Sequence, residues 1–228
     1  TDIKNNTKTK IMEKKHQVHN LIILDECGYI RCSKTTIIQG FNELVQTIQG
    51  IEKQFPEQEH FISFVSFNGL GQKLLHFIDP ASKLKQIDDK SYKPDASTPL
   101  FDAMGFSINK LKQSLQGQTD YNVLVTILTD GEENASKEFS GNGIKKLVEE
   151  LKQNRWTFTY IGTDHDVEKI ALSLSINNTM VFAKSEAGIK DMFLKEQNAR
   201  AKYSQKIRSK EDTSSNYFDD TEDDKNQK

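Results

Sequence analysis

Cysteine is scarce in this chain: its 228 residues contain two, Cys27 and Cys32. Five positions apart in one loop, they match no common disulfide framework and no zinc-ligand spacing, so they read as reduced thiols of a cytoplasmic protein. Long apolar runs are also missing. Nothing approaches the ~20 residues that span a bilayer. No signal-peptide pattern opens the chain, because Ile3 and Ile11 stand isolated among Lys, Asn and Thr. A dominant charge of one sign is lacking as well, with 31 basic against 33 acidic residues and a formal net charge of −2. The charge is unevenly placed. Residues 1–16 carry five Lys against Asp2 and Glu13, and residues 211–228 carry seven acids against Lys225 and Lys228. The middle is neutral, which gives no electrostatic case for nucleic acid or an anionic membrane as partner.

Apolar residues make up 35% of the chain. That is enough for one domain with a real core, because the polar residues concentrate at the ends. The organisation read from the pattern is a polar arm over 1–17, a folded domain over 18–208 and an acidic disordered tail over 209–228. Tyr217-Phe218 is an apolar pair set among the tail acids, available for an intramolecular or a partner contact.

Val18 to Leu24 is an apolar run of strand length, buried on both faces as in a central parallel strand. Ser33 suits the N-cap of a helix carrying Ile37, Phe41, Leu44, Val45, Ile48 and Ile51. Strands follow at 61–67 and 73–78, joined by the turn Asn68-Gly69-Leu70-Gly71 as an antiparallel hairpin. Residues 79–95 read as loop. Thr98-Pro99 opens a helix through Leu115, and Val123–Leu128 is a second doubly buried strand. A helix with Ile144, Leu147, Val148 and Leu151, a strand at 156–162, a short helix at 167–174, an edge strand at 179–182 and a helix at 187–207 complete the order. Alternation of this kind predicts an α/β fold: a doubly wound, mainly parallel six-stranded sheet with one antiparallel edge strand and helices on both faces.

In such a sheet the ligand crevice lies at the C-terminal ends of the strands. Asp25 and Asp130 each follow a buried strand, and Thr98 lies on a loop that can close over the same edge. Two carboxylates and a hydroxyl form an oxygen-rich pocket of the kind Mg²⁺ accepts. Thr98 also reads as a cap for the helix that Pro99 opens, and Asp102 either orients that loop or favours the helix dipole. Glu132 and Glu133 read as solvated acids. Asp164-His165-Asp166 precedes a helix and reads as a cap before a metal cluster. His16, His19, His60 and His76 show no ligand spacing.

The strand ending at Asp25, the stretch Ser97-Thr98-Pro99-Leu100-Phe101-Asp102-Ala103, and Thr129-Asp130-Gly131-Glu132-Glu133-Asn134 resemble, in order and spacing, the three-part metal-ion-dependent adhesion site of von Willebrand factor type A domains. The resemblance runs from about Val18 to about Ile207. Gly131-Glu132-Glu133-Asn134 and the strand Phe158–Gly162 resemble an intracellular bacterial branch, some of whose members are associated with tellurite-resistance gene clusters. The resemblance implies a non-enzymatic module that binds a protein partner, through an acidic side chain when a metal bridges the two. One departure stands out. The family's first loop reads Asp-x-Ser-x-Ser, and here the two serine positions hold Cys27 and Tyr29. A thiol is a poor Mg²⁺ ligand and tyrosine is too large to replace a serine hydroxyl. The expectation is a degenerate site in which Asp25, Thr98 and Asp130 bind Mg²⁺ weakly or not at all, or a rebuilt one with oxygen from Glu26 or Ser33. The binding surface would comprise Glu26, Cys27, Tyr29, Asp102 and Glu132. Two other readings stand beside it: a Mg²⁺-dependent hydrolase or phosphoryl-transfer enzyme using Asp25 and Asp130, and a scaffold that binds through its last helix or its acidic tail.

Overall fold

The computed structural model describes residues 14–26, 34–88, 97–163 and 166–219. The elements run β1 (His16–Asp25), α1 (Lys34–Gln54), β2 (Gln58–Asn68), β3 (Gly71–Pro80), α2 (Leu100–Ser114), β4 (Tyr121–Leu128), α3 (Gly141–Lys152), β5 (Trp156–Gly162), α4 (Val167–Ser173), β6 (Asn178–Val181) and α5 (Glu186–Ser209). The six strands lie in the order β3-β2-β1-β4-β5-β6. All pairings are parallel except β2–β3. The fold is the predicted one, and the reason is visible in the two central strands. β1 and β4 are buried along nearly their whole length, so both faces must be apolar and both must be covered by helices.

Alternation along β1 divides the core. Leu21 and Ile23 face one layer with α2, α3 and α4, while Ile22 and Leu24 face the other with α1 and α5. α1 and α5 approach closely at Gly40, where a Cβ would collide with the Phe193 ring. The strand order reverses between β1 and β4. This switch point brings Asp25 and the loop after Leu128 to one edge.

Two boundaries differ from the expected ones. Residues 79–95 do not begin as loop: β3 continues to Pro80 and a 3-10 turn covers Ala81–Lys83. Ile87 is then buried against α1, its N–H donated to Asn42 Oδ1 at 2.9 Å and its carbonyl accepting from Asn42 Nδ2 at 3.1 Å. The structure also departs from a tail that leaves the domain at residue 209. Helix α5 ends at Ser209, Lys210 turns the chain in the left-handed region, and the chain runs back over the domain as far as Asp219. Tyr217 is 5% exposed among Val18, Leu124, Ala199 and Tyr203. The backbone around it bonds to Thr157, Asn178 and Lys206. An aromatic side chain with an apolar seat and a satisfied backbone outweighs the acidic composition that suggested disorder.

Candidate functional site

Asp25 ends β1 with no solvent exposure. Its Oδ2 accepts the Thr129 hydroxyl at 2.7 Å, and the same hydroxyl accepts the Gly131 N–H at 3.2 Å. Thr129 therefore orients the carboxylate and fixes the first turn after β4. Thr98 is 3% exposed. A Cβ added at Gly131 would lie 2.7 Å from Thr98 Oγ1 and 3.3 Å from Asp25 Oδ2, so these two oxygens converge on a notch that only glycine leaves open. Asp130, half-buried, borders it.

The Thr98 loop and the loop after β4 are stitched together by a run of hydrogen bonds. Thr98 N–H donates to Asn134 Oδ1 at 3.0 Å, and Asn134 N–H returns to the Thr98 carbonyl at 3.2 Å. Glu133 Oε2 accepts the Phe101 N–H at 2.8 Å, serving one of the orphan donors at the start of α2, while its Oε1 accepts from Ala135 and Ser136. Asp102 completes the clasp by accepting the N–H groups of Lys137, Glu138 and Phe139 at 2.8 to 2.9 Å. Desolvation pushes the Asp102 pKa up, but the three N–H donors outweigh it and hold the carboxyl below its ordinary value.

The structure brings Asp25, Thr98 and the Asp130–Gly131 turn to one place, and it revises several expected roles. Thr98 does not cap α2: Pro99 is the N-cap and makes no side-chain cap bond, and Glu133 and Ser136 of the other loop accept the Phe101 and Asp102 N–H groups. Glu133 is a clasp residue and not a solvated acid. Glu132 is exposed at the rim. Asp102 ties the loops. Glu26 corrects the expected binding surface. It is fully buried, on the opposite side of β1 from Asp25, and its Oε2 accepts from Asn68 Nδ2 at 2.9 Å and Lys73 Nζ at 3.2 Å. Cys27, Tyr29, Ser33, Asp164 and His165 lie outside the described residues. Thr129, Glu133 and Asn134 are the site residues whose roles the sequence did not reveal.

The oxygens of Asp25 and Thr98 are hard donors that converge, which suits Mg²⁺. Among the described residues no group of three His, Cys, Asp or Glu is arranged to hold a metal ion. The donor set therefore fits a largely hydrated cation better than a caged one. Also among the described residues, no helix is long and apolar enough to cross a membrane.

Solved structures share this architecture. The PilB minor pilin from Streptococcus sanguinis superposes with a TM-score of 0.58 at 11% identity, over 83% of this chain and 62% of that one. Proximal thread matrix protein 1 from the mussel byssus gives 0.52 at 12% identity, over 82% and 47%. The chain thus spans less than two thirds of either relative, and the likeness is one of fold. No curated protein sequence matches it. The model of the von Willebrand factor type A domain, a module that commonly mediates protein interactions, matches residues 22–207. With the switch-point site and the six-stranded sheet, that match makes the chain a member of the von Willebrand factor type A family.

Proposed function

We propose that the protein is a non-enzymatic binding module that docks a protein partner on the C-terminal edge of its sheet, around Asp25, Thr98 and Asp130. The observation that carries this reading is the clasp. Asn134, Glu133 and Asp102 hold the two rim loops in one arrangement, so a partner meets a surface whose ordering cost is already met. Exposed Glu132 borders that surface. Mg²⁺ binds weakly or not at all. When bound, it would be held by Asp25, Thr98 and Asp130 and would offer an open position to an acidic side chain of the partner. Without it, Tyr29 and Cys27 supply the contact, tyrosine being a good interface anchor. The likeness of Gly131–Asn134 to the intracellular bacterial branch supports a cytoplasmic setting for this binding.

Thermal unfolding of metal-stripped protein, titrated with Mg²⁺ and Mn²⁺ beside Asp130→Ala, separates the two modes. A ligand at 100 times its dissociation constant adds about 2.7 kcal/mol of stability. A saturable rise absent from Asp130→Ala identifies a metal-bridged contact, and no shift at millimolar metal a metal-free one. Hydrolysis of a generic phosphate ester that disappears in Asp25→Asn would overturn the binding reading in favour of Mg²⁺-dependent catalysis.

A further inference from the structure

Glu26 carries a cost that the candidate site does not explain. Its carboxylate has no solvent exposure, and its Oε1 has no hydrogen-bond partner among the described residues. Burying a charge with an unmet acceptor destabilises a fold, and such groups persist where something else is gained. The other carboxylate oxygen holds two nitrogens at once. Oε2 accepts from Asn68 Nδ2 at 2.9 Å and from Lys73 Nζ at 3.2 Å, one on each side of the β2–β3 turn.

Strand register explains why these three side chains meet. Lys73 on β3 pairs with Ser66 on β2, and Ser66 pairs with Leu24 on β1. Asn68 and Glu26 each lie two positions further along the chain, so all three side chains project from one face of the sheet. Asn68 and Lys73 are then diagonal neighbours across the hairpin, a separation that a lysine side chain spans. A hydrogen-bonded ion pair that steadies a turn would need no more than this, and the site has more. Asn68 is 1% exposed, so water is kept from its amide carbon. Its Oδ1 accepts the Leu70 N–H at 2.9 Å, which polarises the carbonyl and places a donor where negative charge would grow during an addition. Lys73 reaches in from a part-exposed position, which leaves a small product a way out to solvent. A primary amine, an amide carbonyl with its own donor and a carboxylate touching both nitrogens are the parts of an amide exchange.

We infer that the protein cross-links itself: Lys73 Nζ and Asn68 Cγ join in an isopeptide bond across the β2–β3 turn, with Glu26 as the proton carrier. Glu26 takes a proton from the Lys73 ammonium, and the freed amine adds to Asn68 Cγ. The Leu70 N–H holds the oxyanion that forms on Oδ1. The Cγ–Nζ bond forms and the Cγ–Nδ2 bond breaks. Both protons that Nζ gives up pass through Glu26 to Nδ2, which leaves as ammonium. Glu26 ends as the carboxylate it began, the positive charge moves from lysine to ammonium, and nothing is oxidised or reduced. Oε1 gives the carried proton a place while Oε2 stays on the nitrogens. The product fastens the start of the edge strand β3 to the end of β2.

The intact mass of the full chain, folded and then denatured, tests the bond. The expected mass is that of the sequence less one ammonia. Trypsin acting on the unfolded chain should leave the Lys73–Leu74 peptide bond uncut, and fragmentation should place the loss on a link between Asn68 and Lys73. Lys73→Arg and Glu26→Gln should both keep the full sequence mass. Lys73→Arg retains a cation for Glu26 and keeps the test decisive should Glu26→Gln not fold. A wild-type chain that holds its full mass after prolonged incubation in the folded state would overturn the bond. So would a loss of ammonia with Lys73 still cut by trypsin, because Asn68 can also cyclise onto the Gly69 N–H. A bond that forms as completely in Glu26→Gln would overturn the role of Glu26.

Discussion

Arg200 and Glu196, one turn apart on α5, form a two-pronged ion pair inside the protein, with contacts of 2.6 Å and 3.1 Å. Neither has appreciable exposure. Arg200 also donates to Asn20 Oδ1 on β1 and Thr126 Oγ1 on β4, and Glu196 accepts the Tyr217 hydroxyl at 3.1 Å. The last helix is bolted to both central strands by polar bonds that only this orientation satisfies. Arg200→Ala leaves Glu196 charged and buried and is expected to cost about 3–5 kcal/mol. Replacing both partners by apolar residues of similar volume should recover most of that loss. Urea unfolding of the two variants checks the difference.

Gly131 is held to glycine by its neighbours. Gly131→Ala places a methyl 2.7 Å from Thr98 Oγ1, closer than real contacts allow, so the Thr98 loop must shift. The expected cost is about 1–3 kcal/mol. Thr98→Ala removes the clashing oxygen, so the double variant should lose less than the sum of the two single ones. A double-mutant cycle read by thermal unfolding measures that coupling.

Glu133 accepts a backbone N–H from α2 and two from its own loop. Glu133→Ala is expected to lower stability by about 2 kcal/mol through the donors it leaves unmet. Exchange at the Phe101, Ala135 and Ser136 amides should rise with it. Glu132→Ala, one residue away and exposed, should leave both readings within about 0.5 kcal/mol of wild type.

Two buried histidines set an acid limit. Burial lowers the pKa of His19 to about 4 and that of His60 to about 3, with His16 adding to the first and Arg200 to the second. His60 is held neutral by geometry: Asn20 Nδ2 donates to its Nδ1 and its Nε2 donates to Gln58 Oε1. The folded pKa values lie below the unfolded 6.5, so the unfolded chain binds protons first. Stability is full above pH 6.5 and falls as pH drops toward 4 and then 3. At pH 5 each histidine should subtract about 2 kcal/mol. Asp102, lowered by its three N–H donors against its burial, takes its share only below the ordinary carboxylate range. Denaturant melts at pH 7.5 and 5 should differ accordingly, and His19→Gln with His60→Gln should narrow the gap.

The order and topology of the elements were legible because the signals are strong. Val18–Leu24 and Val123–Leu128 are apolar at every step bar Asn20, His19 and Thr126, and those three are buried with partners in the fold. That Asp25 and Asp130 share one edge follows from their places after buried strands, and the approach of Thr98 follows from the loop that opens α2. The clasp was not legible. Glu133 and Asn134 bond to residues more than thirty positions away, and nothing local separates them from solvated polar residues. Glu26 was misplaced because one step along a strand reverses the face, and Asp25 had already claimed the site. Ile87 gives no local signal because a single apolar residue has no period, whereas the Tyr217-Phe218 pair signals an intramolecular contact without showing where on the domain it docks.

The bolt at Arg200 also sets when the molecule can be finished. Arg200 meets Asn20 across 180 positions, and Tyr217 closes over Val18 and Leu124 from further along still. During synthesis the two central strands are complete long before either arrives, and one of their faces stays open to water until the chain has passed Asp219. The central strands therefore cannot seal on their own, and the vulnerable interval of synthesis is the one before residues 186–219 arrive. A truncation at residue 208, where the last helical pattern ends, would make that interval permanent.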